Sequence, residues 1–348
     1  MRRAVVALAA SACLLAAVPA HAGPRTRWQS ARQTPAARAE TAALARAEDQ
    51  LLAARRLRRI ASQVDPLAAG GLLVHHKQAR RLLEAAGGSR ARDPELRLRY
   101  GEVLSDLGQW REAAVVLAGV VDEVPAALRV DAWVELAVAH ARLGRTRDEI
   151  ACYDRALAIE PHTATRVTML ANQAEAYMTL GDIARAVDGY RAALTSIEAL
   201  SAGEVPYFAP TTLWGLGVAL DRAGELDAAL DAVQRARMYD PGDSRLASDG
   251  WFYNPPHDEA WYDGLGHLAV ARRGPDRDVR QAAYGRAIAS FRAYAERAPP
   301  GDLWVAVAHA RVTALTSEEA RFTARLARAQ AEERKQEGRS AGPPKPRP

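Results

Sequence analysis

The chain has 348 residues and a formal net charge of +5, and its length is typical of two domains or of one repeat array rather than of a single small core. The charge is unevenly distributed: residues 1–92 carry 16 basic and 5 acidic side chains, whereas residues 93–315 carry 23 basic and 32 acidic ones. Because the central region is acidic, nucleic acid and other polyanions are excluded as its expected partners.

The first 22 residues have the three parts of a secretory signal peptide. Arg2 and Arg3 supply the positive charge, an apolar run follows over residues 4–18, and residues 20–22 are Ala-His-Ala, a cleavage site of small residues. Cleavage would make Gly23 the first residue and would place the mature chain in the periplasm or outside the cell. An uncleaved anchor is the alternative. No other stretch is apolar over the thickness of a bilayer, so we expect no integral membrane segment in the mature chain.

The chain has two cysteines, Cys13 and Cys152. A lipid on Cys13 is disfavoured because the usual leucine is missing before it and five more apolar residues follow it. If Cys13 leaves with the signal peptide, no intrachain disulfide can form, so stability must come from helix packing. Cys152 precedes Tyr153, a predicted core residue, which favours an inert, partly buried thiol over a reactive one.

Two helices are predicted before the central region. The Ala-rich stretch 34–64 predicts one long helix, which ends at Asp65-Pro66 because the residue before a proline leaves the helical conformation. The stretch 72–86 predicts a second helix, ended by two glycines. Four arginines in residues 55–59 make the first helix strongly basic.

The central region repeats itself. Four glycines, Gly108, Gly144, Gly181 and Gly224, separate pairs of amphipathic segments at spacings of 36, 37 and 43 residues. A small residue lies seven positions before each glycine, and small residues recur five and twelve positions after three of them. These residues are Gly101, Ala137, Ala174 and Gly217, then Ala113, Ala186 and Ala229, then Ala156, Ala193 and Ala236. Closely crossing helices need small side chains, and a tight turn at positive φ needs glycine.

This pattern resembles the tetratricopeptide repeat family, whose unit is a helix–turn–helix of about 34 residues. The resemblance covers Asp93 to about Pro300 and includes a fifth, less regular unit from Trp261 to Pro299. It implies an all-α fold, a right-handed superhelical solenoid of stacked helix–turn–helix units, because one unit cannot bury its apolar face alone.

Five segments are therefore expected along the chain, and the repeat array carries three insertions. The segments are a signal peptide at 1–22, a basic N-terminal helical region at 23–92, an array of about five units at 93–302, capping helices at 303–336 (two, meeting near residue 316) and a disordered tail at 337–348; the insertions lie near 201–210, 244–258 and 273–282.

No catalytic or cofactor motif was found: the chain has no phosphate-binding glycine loop with lysine, no His-Glu-x-x-His and no Gly-x-Ser-x-Gly. His75 and His76 are adjacent, so on a helix they diverge by about 100° and cannot hold one metal ion. We expect both to be surface residues and His140 to be a packed one. The sequence thus predicts neither a metal site, nor a cofactor, nor an enzyme.

The resemblance implies that the first helices of the units line a concave groove where an extended peptide lies. The candidate partner-binding residues on that side are Glu135, Asn172, Trp214 and Asp221. Asn172 could bind a peptide backbone and Trp214 could be an aromatic anchor, but a solvated amide and a packing tryptophan are equally favoured. Carboxylate binding, as in the best-known members of that family, is not expected, because Leu98 stands in place of a lysine and Glu102 in place of an asparagine, and only Asn172 matches. The groove is acidic, which suits a basic or neutral partner.

The aromatic run Trp251, Phe252 and Tyr253, followed by Asn-Pro-Pro, is the most unusual local feature. Long links in compact arrays are often functional, so these three residues are also candidates for partner binding. The alternative, which we favour, is that the run folds back and plugs the end of the groove, because aromatic residues are more often buried than displayed.

These observations predict an exported scaffold that binds a protein or peptide partner. The alternative is a tether to the cell envelope or to a polyanion, acting through the Arg-rich N-terminal helix. The partner's identity and the oligomeric state stay open.

Overall fold

The computed structural model describes residues 34–61, 66–159, 162–247 and 252–340. Within these ranges the chain forms thirteen α-helices and no strand. They are α1 (Pro35–Ala61), α2 (Pro66–Ala85), α3 (Pro94–Asp106), α4 (Trp110–Ala118), α5 (Arg129–Arg142), α6 (Thr146–Leu157), α7 (Thr163–Thr179), α8 (Ile183–Ile197), α9 (Val205–Arg222), α10 (Leu226–Tyr239), α11 (Glu259–Arg273), α12 (Arg277–Arg297) and α13 (Val305–Ser340). The predicted all-α class is confirmed, while the signal peptide lies outside the described residues.

The helices form consecutive hairpins whose turns share one conformation. Gly108, Gly144, Gly181 and Gly224 have φ angles of 74°, 67°, 79° and 86°. After each glycine, the next backbone N–H donates to the carbonyl oxygen five residues before it, as from Arg145 to His140 at 2.9 Å. This is a Schellman motif, which satisfies carbonyl groups that the ending helix would otherwise leave without partners. The predicted role of the four glycines is confirmed.

Small residues let the two helices of a hairpin approach closely. A Cβ atom added to Gly101 on α3 would lie 2.7 Å from the side chain of Leu117 on α4. Ala137 on α5 and Ala156 on α6 are fully buried, as are the equivalent Ala174 and Ala193 of the next hairpin. Consecutive hairpins also contact each other, through α4 with α5 and α6 with α7. The predicted repeat is therefore present, with its small residues in the core.

The chain divides into two compact units. One comprises Met1–Ala219 with Arg235–Pro255, and the other comprises Leu220–Gln234 with Pro256–Pro348. In the first unit, α1 and α2 pack against each other around Leu51 and Leu83, and α2 contacts α3. The predicted N-terminal helix pair is thus confirmed, although α2 begins at Pro66, a favourable first helical residue, rather than at residue 72.

Two of the predicted insertions are largely helical, and one boundary prediction is wrong. The insertion at 201–210 is largely helical, because α9 begins at Val205 and a proline in the first turn of a helix needs no N–H donor. The insertion at 273–282 mostly extends α12, whose start is capped by Asp276 accepting from the N–H of Val279 at 2.8 Å. The two predicted capping helices are one helix, α13, which continues to Ser340 and so includes the first residues of the predicted tail.

The continuity of α13 has a local cause. Thr316 and Ser317 favour a helix boundary because their hydroxyl groups compete for backbone hydrogen bonds. Here both hydroxyl groups donate within the helix, to the carbonyl oxygens of Val312 at 2.8 Å and Thr313 at 3.2 Å. None of the described helices is long and apolar enough to cross a bilayer.

Replacing the turn glycine Gly144 with alanine should destabilise the chain through backbone strain alone. A Cβ atom at Gly144 would find none of the described atoms within 4 Å, so steric clash is not involved. The positive φ angle of 67° should cost about 1–2 kcal/mol in unfolding free energy. Urea denaturation followed by circular dichroism measures this cost. The control is Gly203→Ala, which has the same open surroundings without a positive φ angle; equal effects of the two changes would refute the assignment.

Candidate partner-binding face

The candidate site lies in the first of the two compact units. It is at the C-terminal ends of α5 and α7, which are the first helices of two consecutive hairpins. Arg142 is the last residue of α5, and Glu175 and Thr179 lie in the last two turns of α7. The second helices α6 and α8 pack against α5 and α7, so they support both ends of the site. We call these three residues, Arg142, Glu175 and Thr179, the Arg142 site.

A distant part of the same chain is bound at the Arg142 site. The Arg142 guanidinium carbon lies 3.5 Å from the centroid of the Phe252 ring. The backbone N–H of Asn254 donates to Glu175 Oε1 at 3.4 Å, and Thr179 Oγ1 donates to the carbonyl oxygen of Asn254 at 3.0 Å. We call residues 252–254 the docked segment. Its residues are half-buried, and Phe252 folds back onto α5, as predicted for the aromatic run. Trp251 lies outside the described residues.

Arg142 is a half-buried cation. Burial lowers the pKa of Arg142 to about 10, and the negative charge of Glu175 opposes this shift. Arg142 therefore stays a cation at neutral pH. Its guanidinium group also lies 5.2 Å from the centroid of Trp110, so it contacts two aromatic rings. Such cation–π contacts contribute about 0.5–2 kcal/mol each, more when water is excluded.

A buried carboxyl group lies behind the site. Glu149 on α6 is almost fully buried, and burial, with repulsion from Glu175, raises its pKa to about 9. Within the described part of the chain, its Oε2 atom has no hydrogen-bond partner. Glu149 is therefore neutral at pH 7, which avoids placing a second negative charge beside Glu175.

One family model matches the chain, and it matches at this site. The model described as tetratricopeptide repeat aligns with residues 130–163, which contain nearly all of α5, the whole of α6 and the first residue of α7. This hairpin matches a tetratricopeptide repeat. The match shows the resemblance to a tetratricopeptide repeat (TPR) for that one hairpin. Because Arg142 lies in the matched hairpin, the Arg142 site is partly built by that repeat.

Two solved structures contain chains that are similar to this one. One is the crystal structure of the APC/C hetero-tetramer Cut9–Hcn1, at 14% identity and a TM-score of 0.43, with 80% of this chain and 48% of that chain covered. The other is the complex of the TPR2AB domain of yeast Sti1 with pHSP90, at 12% identity and a TM-score of 0.24, with 79% and 98% covered. The chain thus spans about half the length of the first. No curated protein matches the sequence.

Two of the predicted partner-binding residues are core residues of the first compact unit, and a third is half-buried. Trp214 is 3% exposed and donates from Nε1 to Asp243 Oδ1 at 3.2 Å, so it is the packing tryptophan of the two alternatives. Glu135 is 2% exposed. Asn172 stays half-buried and donates from Nδ2 to the hydroxyl of Tyr153 at 3.1 Å. The first helices are buried more deeply than the sequence pattern indicates, because small residues bring neighbouring helices close together.

Asp221 belongs to a buried network in the second unit. It is 2% exposed, accepts from Trp261 Nε1 at 3.0 Å and pairs with Arg311 of α13. Its neighbour Arg222 is fully buried and pairs with Asp258 at 2.7 Å. The predicted role of Asp221 in partner binding is therefore wrong for the chain as it stands: its carboxylate is already bonded within the unit, where it ties the start of α13 to α9.

The histidines and the cysteine have structural surroundings. The expectation that His76 is a surface residue is wrong, because it is 2% exposed and its Nε2 lies 3.2 Å from Asp106 Oδ2. His140 is half-buried and burial lowers its pKa, as expected of a packed histidine. Cys152 is buried, and burial raises the pKa of its thiol to about 12, which confirms the inert interpretation. No described group of three or more His, Cys, Asp or Glu side chains could hold a metal ion.

Glu149→Gln should remove a pH-dependent loss of stability. The folded-state pKa of about 9 lies above the ordinary value of 4.5. The folded chain therefore keeps a proton that the unfolded chain loses, and the wild type loses stability as the pH rises from about 4.5 to 9. Glutamine has nearly the same shape without the charge. We expect equal unfolding free energies near pH 4.5, and a variant more stable by about 1 kcal/mol or more at pH 8.

Urea denaturation at pH 4.5, 6.5 and 8 checks this expectation. The control is Asp188→Asn, which removes one negative charge from the exposed face of α8. A stability difference between wild type and Glu149→Gln that does not change with pH would contradict the buried, protonated state.

Proposed function

We propose that this TPR-type protein is an exported scaffold that binds an extended segment of a partner protein on the first-helix side of its first unit, at the Arg142 site. One observation carries the proposal: the site already binds a non-helical piece of protein, namely the docked segment. A surface that holds a peptide of its own chain has the chemistry to hold a similar peptide from a partner.

The contacts suit peptide recognition because they divide into general and selective ones. Glu175 and Thr179 bind the backbone N–H and C=O groups of one residue, which every peptide can offer except where proline lacks the N–H. Arg142 contacts an aromatic ring, which only some residues supply. Backbone hydrogen bonds would thus contribute affinity, and the ring would contribute selectivity.

The partner's charge follows from the surroundings of the site. Glu175 is negatively charged, and the whole region 93–315 has nine more acidic than basic side chains. Acidic residues beside the recognised aromatic would therefore be repelled, so we propose a neutral or basic partner segment.

Partner capture with matched variants tests the proposal. Affinity capture from a cell-envelope extract should recover one protein with the wild type, and the Arg142→Gln and Thr179→Val variants should recover at least about five-fold less of it, a loss of about 1 kcal/mol. Arg142→Gln removes the guanidinium group that contacts Phe252 and Trp110, and Thr179→Val removes the hydroxyl group that donates to Asn254, while each keeps a side chain of similar length or shape.

Arg155→Ala is the control, because Arg155 is an exposed arginine on α6 whose guanidinium carbon lies 5.8 Å from the centroid of Trp133. Capture that is unchanged by both site variants, or reduced equally by the control, would place the partner elsewhere.

Export is proposed from the N-terminal sequence alone. Arg2 and Arg3, the apolar run and the Ala-His-Ala sequence at 20–22 favour cleavage after Ala22. Mass spectrometry of protein from the periplasm or the culture medium should find Gly23 as the first residue. An intact Met1, or a lipid attached to Cys13, would contradict the proposal.

A further inference from the structure

The link that carries the docked segment is longer than the connection of two hairpins requires. The link between α10 and α11 spans residues 240–258, whereas the links between α6 and α7 and between α8 and α9 span residues 158–162 and 198–204. Connections between packed helices usually need about 2–8 residues. The extra length lets Phe252 and Asn254 reach the ends of α5 and α7, which lie about 75 to 110 positions earlier in the sequence.

The docked segment contacts the site as a bound peptide would. Phe252 contributes only its ring, and Asn254 contributes only its backbone N–H and C=O groups in the hydrogen bonds that join it to α7. The segment itself belongs to no helix. The contacts therefore come from groups that any extended peptide with an aromatic residue at the first of three positions could supply.

Covering the site has a cost that weakens the docked state. Arg142 is partly removed from water, and this burial lowers its pKa. The group that covers it is the neutral ring of Phe252. In the second unit, by contrast, Arg222 forms two hydrogen bonds with the carboxylate of Asp258, at 2.7 and 3.2 Å. A cation–π contact is weaker than a charge-assisted pair of hydrogen bonds, so the contact of Phe252 with Arg142 is the more easily displaced of the two.

We propose that the docked segment is an intramolecular ligand that occupies the Arg142 site until a partner displaces it. The partner segment then carries an aromatic residue that stacks on Arg142 and, two positions later, a non-proline residue whose backbone bonds to Glu175 and Thr179. This inference rests on the proposed function, since it names the class of peptide that the same site binds.

Because the docked segment is tethered to the site by the chain itself, a free peptide must compete with it in order to bind. A segment tethered within the same chain has an effective concentration on the order of millimolar, so an outside peptide of equal intrinsic affinity is mostly excluded. Removing the ring of Phe252 would keep the three residues of the Arg142 site and weaken the internal competitor, which would retain only the backbone hydrogen bonds of Asn254. An outside peptide with an aromatic ring should then bind more tightly.

The test uses a peptide copied from the chain itself. Residues 252–257, joined to fluorescein through a Gly-Ser linker, serve as the probe, and fluorescence anisotropy measures its Kd for the full-length chain. We expect the Phe252→Ala variant to bind the probe at least about ten-fold more tightly than the wild type does. Adding Arg142→Gln to Phe252→Ala should return the Kd to the wild-type value or above it, and a probe with alanine in place of its phenylalanine should bind at least about ten-fold more weakly.

Tyr239→Ala is the matched control, because it removes an exposed aromatic ring at the end of α10 in the same unit. It should leave the Kd at the wild-type value. Circular dichroism melts accompany every variant, since a structural segment and a displaceable ligand differ in their effect on folding.

Three results would overturn the proposal. They are equal binding of the probe by wild type and Phe252→Ala, binding by Phe252→Ala that is unaffected by Arg142→Gln, and a Phe252→Ala variant that no longer folds, which would make the segment part of the core. These results are distinguishable from failure of the proposed function. A partner captured through Arg142 with no effect of Phe252→Ala on probe binding would refute the intramolecular ligand alone, whereas probe binding without any captured partner would refute the scaffold role alone.

Discussion

Close crossing of helices is the constraint on which the rest of this structure depends. At Gly101 the partner helix comes so near that even a methyl group would meet Leu117 at 2.7 Å, and the equivalent alanines of the following hairpins are fully buried. This distance of approach lets short turns join the helices, and it lets each hairpin stack on the next. The stacking in turn brings the C-terminal ends of α5 and α7 near enough for a three-residue segment to contact both.

The same close packing explains why three of the expected partner-binding residues, Glu135, Trp214 and Asp221, are inaccessible. A residue such as Trp214 or Glu135 has the right position on a first helix, but the neighbouring helices leave it almost no contact with solvent. Polar groups remain accessible where helices end, because the backbone and side chains there are no longer covered on every side. Arg142, Glu175 and Thr179 all lie in such last turns, which places the candidate site at the rim of the hairpins rather than along their middles.

The two units treat buried charge differently, and the difference bears on function. Arg222 and Asp221 are fully buried, and each is bonded to an oppositely charged group, which is the arrangement that a permanent structural contact requires. Arg142 is only half-buried and is covered by an aromatic ring that belongs to a long link. Glu149, in the first compact unit, instead keeps its proton and is neutral. Under the proposal above, the ring of a partner segment takes the place of the Phe252 ring on this half-buried cation.

The sequence by itself determined the elements of the fold, because their causes are local. A glycine at each turn, small residues at fixed distances from it and helix-favouring composition were enough to predict the hairpins. Boundaries failed where local signals conflicted, as at Thr316 and Ser317, whose hydroxyl groups found acceptors inside α13. The contact of Phe252 with Arg142 joins residues 110 positions apart, and the burial of Trp214 depends on Asp243 and Arg237 from beyond its own helix. Only the tertiary structure decided these, since periodicity reports which face of a helix is apolar but not which distant segment covers it.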